Sequence, residues 1–264
     1  MKYYERLIEL GCFTRDDVEA MCGNRETAHS IIEAYKKKGW IASVRRNLFV
    51  AMSLETKQPV PTRFAIASNA APGAYVCYHS AFEYHGLANQ VYHEVYAAAK
   101  SRFRTFEYYG LTYRYVQSFS ENGVESMAGG ARVTDLERTV IDCLNDFDKA
   151  GGLDELLRCI EMIPYLESNK LLEYLSGYNK LFLYQKTGFV LEHFKNQLKL
   201  TNDFFTKCQS KVPNSKRYMS GDIQTASTVL NKTWGLYAPK NLLTITKKGD
   251  CVNEKAKKEP EPER

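Results

Sequence analysis

The stretch NRETAHSIIEAYKKKGWIASVRRNLFVAM, residues 24–52, contains two different hydrophobic periods. In its first half the apolar residues are spaced i, i+3, i+4 and i+7, at Ala28, Ile31, Ile32 and Tyr35. This spacing places them on one side of an α-helix and leaves a polar face opposite. We therefore predict an amphipathic helix with one face in a core and the other in solvent.

The second half of the stretch predicts a β-hairpin. The β-prone runs WIASV and LFVAM, residues 40–44 and 48–52, are separated only by Arg45, Arg46 and Asn47. Two such runs joined by so short a connection are typical of two antiparallel strands. The predicted hairpin therefore carries two arginines at its tip.

Two more helices are predicted before this stretch. Residues 3–10 have apolar side chains at helical spacing. Thr14 is a favourable amino-terminal cap for a helix that starts at Arg15 and stops near Gly23, and Asn24 caps the helix that follows. Two helices joined by a tight turn form a helix-turn-helix pattern, and a following hairpin completes the plan of a winged helix.

The charge of this region favours a DNA-binding function. Residues 24–50 contain six basic and two acidic side chains, a surplus that suits the phosphate backbone. In a winged helix one helix enters the major groove, while wing arginines reach phosphates or the minor groove. The residues predicted to contact DNA are Asn24, Arg25, Thr27, His29, Ser30 and Lys36 at the helix, with Arg45, Arg46 and Asn47 in the wing.

Two other interpretations of the same region remain open. Winged helices also dock onto proteins, without DNA. The lysines of the helix also fit a solvated face, because Glu33 and Lys37 have the i, i+4 spacing of a surface ion pair.

Composition places the chain among ordinary globular proteins. It has 264 residues, 44% of them hydrophobic and 25% charged, which suits one or two domains. There is no run of 18 apolar residues and no signal-peptide pattern, so we expect a cytoplasmic protein without a membrane partner. The seven cysteines form no CxxC pair, and we expect neither a metal site nor a cofactor.

The remainder of the chain predicts an α+β domain. We divide the protein into a winged helix at residues 1–58, an α+β domain at 59–246 and a flexible charged tail at 247–264. The predicted fold class is thus α+β, with the winged helix followed by a larger domain that has a small sheet and a helical carboxy-terminal part.

Four motifs in a fixed order resemble the AbiEi antitoxins of type IV toxin–antitoxin systems. They are the winged-helix residues TRDDVEA and YKKKGWIASVRRNLFV, the segment YHSAFEYHGL, the segment VTDLERTVIDCL and the segment GFVLEHF, and the resemblance covers most of the chain from residue 13 to about residue 194. The resemblance implies a repressor that binds inverted repeats in its own promoter. It also implies a carboxy-terminal domain that counteracts a nucleotidyltransferase toxin without forming a stable complex. Residues after Val212 match no motif and are left without a role.

A search for catalytic motifs predicts that the chain is not an enzyme. GxxxxGK[ST], GxSxG and HExxH are absent, and no catalytic residue is proposed. Thr134 and Glu137 have the spacing of a capping box, and Asp135 suits a helix dipole and a surface pair with Arg138 or Thr139. A DNA-acting enzyme that uses Asp135, Glu137 and Asp142 is the less favoured alternative.

Two questions about the carboxy-terminal half stay open at this stage. Four lysines form a possible accessory patch, which is either a solvated face or a second phosphate contact: Lys195, Lys199, Lys207 and Lys211. The second question is the class of regulator. The alternative to an antitoxin is a stand-alone winged-helix regulator whose carboxy-terminal domain senses a ligand or a partner.

Overall fold

The protein has an α+β fold, as the sequence predicts. The computed structural model describes residues 3–219, 228–239 and 242. The chain forms two compact units: Met1–Tyr84 with Val91–Asp135, and His85–Gln90 with Leu136–Arg264. The predicted tail, residues 247–264, lies outside the described residues. No helix in the described part has both the length and the apolar character that a membrane span requires.

The first unit begins with the helices and the hairpin that the sequence predicts. Their bounds are α1 (Tyr4–Leu10), β1 (Cys12–Phe13), α2 (Arg15–Cys22), α3 (Arg25–Lys37), β2 (Ile41–Arg45) and β3 (Leu48–Ala51). The three strands pair in the order β1-β3-β2, and both pairings are antiparallel. The predicted amino-terminal caps of α2 and α3 are formed as well: the Thr14 hydroxyl accepts from the Asp17 amide, and Asn24 Oδ1 accepts from the amides of Glu26 and Thr27.

The rest of the first unit is a six-stranded sheet with two short helices. The elements are α4 (Arg63–Ser68), β4 (Tyr75–Val76), α5 (His79–Tyr84), β5 (Glu94–Ala99), β6 (Phe106–Tyr108), β7 (Leu111–Gln117), β8 (Val124–Ser126) and β9 (Arg132–Thr134). The strand order is β6-β7-β5-β4-β9-β8. The pairs β5 with β7 and β4 with β9 are parallel, and the other pairs are antiparallel.

The compact units do not divide at residue 58, where the sequence analysis placed a domain boundary. Strand β3 is buried on both faces: Phe49 belongs to the cluster of the three amino-terminal helices, while Leu48 and Val50 belong to the cluster of the large sheet. Successive side chains of a strand point to opposite faces, so β3 contributes to two cores. Hydrophobic burial therefore joins the helices, the hairpin and the large sheet into one unit, which ends at Asp135.

The second unit is mainly helical, as predicted. It contains α6 (Leu136–Asn145), α7 (Leu153–Glu161), α8 (Ser168–Tyr178), α9 (Leu181–Glu192), α10 (Asn202–Gln209), β10 (Arg217–Tyr218), β11 (Thr228–Asn231) and β12 (Leu236–Pro239). The last three strands pair in the order β10-β12-β11. The sequence analysis gave residues after Val212 no role. In the structure, three of them have no exposed surface: Trp234, Leu236 and Leu242.

The predicted capping box lies at the junction of β9 and α6. Thr134 ends β9, and the helix begins at Leu136. The Glu137 carboxylate accepts a hydrogen bond from the Glu167 amide at 2.8 Å. That contact joins two segments 30 residues apart in sequence, a distance at which local sequence patterns carry no information.

The predicted surface location of Asp135, Arg138 and Thr139 is wrong, because all three side chains are buried. Arg138 pairs with Asp142, with 2.7 Å between Nε and Oδ1. The Tyr178 hydroxyl donates to the same carboxylate oxygen at 2.5 Å. Two of the three carboxylates considered for catalysis, those of Glu137 and Asp142, are thus engaged in structural contacts.

Candidate nucleic-acid interface

The polar face of α3 is exposed along its length. Ala28 and Ile32 are buried on the opposite face, in the core with Leu7 and Phe49. This orientation leaves five of the predicted DNA-contacting residues exposed in or beside the first turns of α3: Asn24, Arg25, Thr27, His29 and Ser30. The sequence pattern therefore located the solvent face of this helix correctly.

A surface depression lies between the first residue of α2 and the first turns of α3. Its volume is about 410 Å³, and it is lined by Arg15, Arg25, Glu26, His29 and Ser30. Arg15 Nε is buried and has no hydrogen-bond partner among the described residues. Two guanidinium groups, those of Arg15 and Arg25, lie at this depression. The depression has the chemistry of an anion site with one acidic group, Glu26, at its edge.

Arg15 is a site residue that the sequence analysis missed. In the sequence it is only the first residue of α2 and is followed by Asp16 and Asp17, a local context that is not basic. It joins the site because α2 packs against α3. Only the tertiary packing of the two helices brings Arg15 next to Arg25.

Asn47 connects the hairpin turn to the start of α2. Its side-chain oxygen accepts a hydrogen bond from the Arg15 backbone amide at 3.1 Å. Asn47 has a φ of 57°, a left-handed conformation that asparagine adopts more readily than most residues. The turn that carries the exposed Arg46 therefore lies beside the start of α2, and the helical and hairpin parts of the predicted site are close together.

Both asparagines of the predicted site have structural tasks. Asn24 Oδ1 caps α3 through the amides of Glu26 and Thr27, at 2.8 and 3.0 Å. Asn47 Oδ1 accepts the hydrogen bond from the Arg15 backbone amide. A direct contact of Asn24 with DNA is thus expected from its side-chain NH₂ group, because its oxygen already accepts two hydrogen bonds.

The prediction for Arg45 needs a correction. Its Nη1 donates to the Ala70 carbonyl at 2.7 Å, and its guanidinium lies 5.6 and 5.4 Å from the ring centres of Phe103 and Phe106. These contacts fix Arg45 against the large sheet, where it stabilises the packing of the hairpin. Arg46, its neighbour, is exposed and stays a predicted DNA contact.

The carboxy-terminal end of α3 is more neutral than its lysines suggest. Glu33 pairs with Lys36 at 3.1 Å, so Lys36, a predicted DNA contact, has an acidic neighbour that competes with phosphate. The expected pairing of Glu33 with Lys37 is thus replaced by an i, i+3 pair. Lys38 lies 4.7 Å above the Trp40 ring.

The four lysines of the predicted accessory patch do not share one helix face. Lys195 and Lys199 follow the end of α9 at Glu192, and Lys199 has a φ of 55°. Lys207 lies on α10 and pairs with Asp203 at 2.6 Å, while Lys211 follows that helix. Lys195 bonds to Asn202. This arrangement favours the solvated-face interpretation.

Comparisons with known proteins show a similar fold and identify no family. No protein-family model and no curated protein sequence matches this chain. The fold is similar to that of the RV2827C protein from Mycobacterium tuberculosis, whose crystal structure aligns with a TM-score of 0.58 and covers 95% of each chain. The two sequences are 12% identical, so the similarity concerns the fold alone.

Proposed function

We propose that this protein is a cytoplasmic DNA-binding antitoxin of the AbiEi type, which represses its own promoter and counteracts a nucleotidyltransferase toxin. In this proposal α1 to α3 with the hairpin β2–β3 act as a winged helix. The order of the four sequence motifs supports the family, and the exposed polar face of α3 supports DNA as a partner. Inverted repeats upstream of the gene are the proposed operator.

The depression lined by Arg15 and Arg25 is the observation that carries the DNA-binding proposal. Arg15 and Arg25 line one surface site, and the Arg15 guanidinium has a buried N–H group without a partner among the described residues. A phosphate at this position gains charge-assisted hydrogen bonds from both arginines. His29 and Ser30 line the same site and are the nearest candidates for contacts with base edges.

Replacing Arg25 with alanine is expected to weaken binding to the promoter region about tenfold at moderate salt, because one guanidinium of the anion site is lost. Electrophoretic retardation of a probe from the upstream region measures this change. Lys38→Ala is the matched control. It removes the same charge from the opposite end of α3, about 20 Å away at 1.5 Å per residue. Equal affinities of the two variants would contradict the assignment.

The two arginines of the hairpin are expected to behave differently. Arg46→Ala should weaken DNA binding and lower the slope of log K against log salt by about one, because one phosphate contact is removed. Arg45→Ala should leave that slope unchanged and lower the thermal midpoint, because its contacts are with Ala70 and two phenylalanine rings. A salt titration with both variants, followed by thermal melts, tests the pair. If only Arg45→Ala lowers the slope of log K against log salt, then Arg45 and not Arg46 is the phosphate contact.

The antitoxin half of the proposal is tested by growth. A nucleotidyltransferase gene next to this one, expressed alone, is expected to stop cell growth, and co-expression of this protein should restore it. Arg25→Ala should still restore growth from a foreign promoter, because the DNA interface is not needed for neutralisation there. Growth arrest that this protein does not relieve would favour the stand-alone regulator instead.

A further inference from the structure

The small sheet of the second unit has one buried face and one outer face. Its central strand β12 places Leu236 and Ala238 in the interior, at 0% and 1% exposure. Successive side chains of a strand point to opposite faces, so Tyr237, which lies between them in sequence, is on the outer face. Residues in register on neighbouring strands share a face, and Tyr237 is in register with Tyr218 of β10 and Leu230 of β11. The outer face therefore carries two tyrosines and a leucine in one row across the sheet.

The two tyrosine rings form a short stack that ends at an edge of the sheet. The ring centroids of Tyr218 and Tyr237 are 4.8 Å apart, and their planes differ by 23°. Strand β10 is an edge strand in the order β10-β12-β11, so no further described strand lies beyond Tyr218. Tyr218 is 42% exposed. Because Tyr237 covers one face of the Tyr218 ring, the exposed part of that ring lies on the side away from Tyr237.

The surroundings of this stack are basic. Lys216 and Arg217 directly precede Tyr218, and Lys232 lies in the turn between β11 and β12. All three basic side chains are exposed. From residue 216 to residue 240 the sequence contains four basic residues and one acidic residue. The charge of this face is therefore complementary to a chain of phosphates.

The combination of stacked aromatic rings and cations is typical of sites for single-stranded nucleic acids. An unpaired base has a flat face that can stack on Tyr218, and any base is accepted because every base has such a face. The bases inside a duplex are stacked on their neighbours and do not offer this face. An acidic peptide would match the charge but would leave the tyrosine ring without a flat partner. The outer face thus fits a single strand better than either alternative.

We propose that the outer face of the sheet β10-β12-β11 binds a single-stranded nucleic acid. One base continues the stack on the side of Tyr218 away from Tyr237, and Lys216 and Arg217 bind the adjoining phosphates. The proposal does not depend on promoter binding by α3, because the residues that carry it belong to the second compact unit and α3 belongs to the first.

The test is fluorescence anisotropy of the full chain with labelled single strands of uridine (RNA) and of thymidine (DNA), each about 12 nucleotides long. We expect saturable binding, and the probe with the higher affinity identifies the kind of strand. Tyr218→Leu should weaken this binding at least about fivefold, the lower end for the loss of one stacked base. Tyr218→Phe keeps the ring and should stay within about twofold of the wild type. Tyr165→Leu is the matched control: it removes a tyrosine that is 50% exposed in the same unit but outside the sheet.

A second variant tests the phosphate contact without altering the aromatic stack. Lys216→Ala should lower the slope of log K against log salt for the single strand by about 0.7, the value for one phosphate contact. The promoter duplex is the comparison ligand. Tyr218→Leu should bind it as tightly as the wild type, and Arg25→Ala should bind the single strand normally. These two comparisons distinguish a failure of this proposal from a failure of the winged-helix proposal.

Four results would overturn the proposal. The first is the absence of saturable binding of both single strands. The second is equal affinity of Tyr218→Leu and the wild type for the single strand, or an unchanged salt slope for Lys216→Ala. The third is an equal loss in Tyr218→Leu and Tyr218→Phe, which would assign the effect to the hydroxyl and not to stacking. The fourth is an equal loss of single-strand and duplex binding in Tyr218→Leu.

Discussion

Gly188→Ala is expected to destabilise the second unit by about 3 kcal/mol or more, the upper end of the usual cost of overpacking. Gly188 lies in the middle of α9, where alanine is normally preferred over glycine by about 1 kcal/mol. Here a Cβ atom would overlap three atoms of the Trp234 ring, Cζ3, Cη2 and Cε3. The steric conflict therefore reverses the usual preference.

Trp234 cannot easily move to make room for the new methyl group. Its side chain has no exposed surface, and its Nε1 donates to Glu192 Oε2 at 2.8 Å. Gln185 Nε2 donates to the backbone carbonyl of Trp234 at 2.9 Å. The indole is thus held at its ring nitrogen and at its backbone.

Urea unfolding monitored by tryptophan fluorescence measures the effect of Gly188→Ala. Gly177→Ala is the matched control: it makes the same change in α8, where a Cβ would have no atom within 4 Å. We expect this control to be as stable as the wild type or up to about 1 kcal/mol more stable. Equal stability of the two alanine variants would contradict the packing of Trp234 on Gly188.

The second large effect is expected for Arg138→Met, which should cost about 3–5 kcal/mol. The side chains of Arg138 and Asp142 are 2% and 3% exposed, and they pair at 2.7 Å. Removal of the guanidinium leaves a buried carboxylate with the Tyr178 hydroxyl as a remaining donor. The cost comes mainly from this uncompensated charge and not from the value of the pair itself.

Two further variants separate this explanation from a general loss of packing. Lys207→Met breaks the exposed i, i+4 pair with Asp203 and should change stability by less than about 1 kcal/mol. Combining Arg138→Met with Asp142→Leu should be less destabilising than Arg138→Met alone, because the buried carboxylate that lost its arginine is gone. Chemical unfolding of the three variants provides the comparison. A double variant that is less stable than the single one would argue against the buried charge as the cause.

The candidate interface was predictable to the extent that it depends on local sequence. The apolar spacing from Ala28 to Tyr35 set the buried face of α3, so the exposed positions of Arg25, Thr27 and His29 followed. Local sequence did not separate Arg45 from Arg46. The difference between these neighbours comes from Ala70, Phe103 and Phe106, residues that lie far along the chain.

The sequence by itself determined the α+β class, the order of the first three helices and the hairpin, and the caps at Thr14 and Asn24. These features depend on contacts within a few residues, and the side-chain pattern encodes such contacts directly.

The tertiary structure alone decided the compact units, the burial of the Arg138–Asp142 pair and the position of Arg15 at the interface. Each depends on side chains from distant segments that compete for the same interior space or hydrogen-bond partner. The two-sided strand β3 is the clearest case: its run of apolar residues predicts a strand, but only the packing of two cores against it explains why both faces are buried.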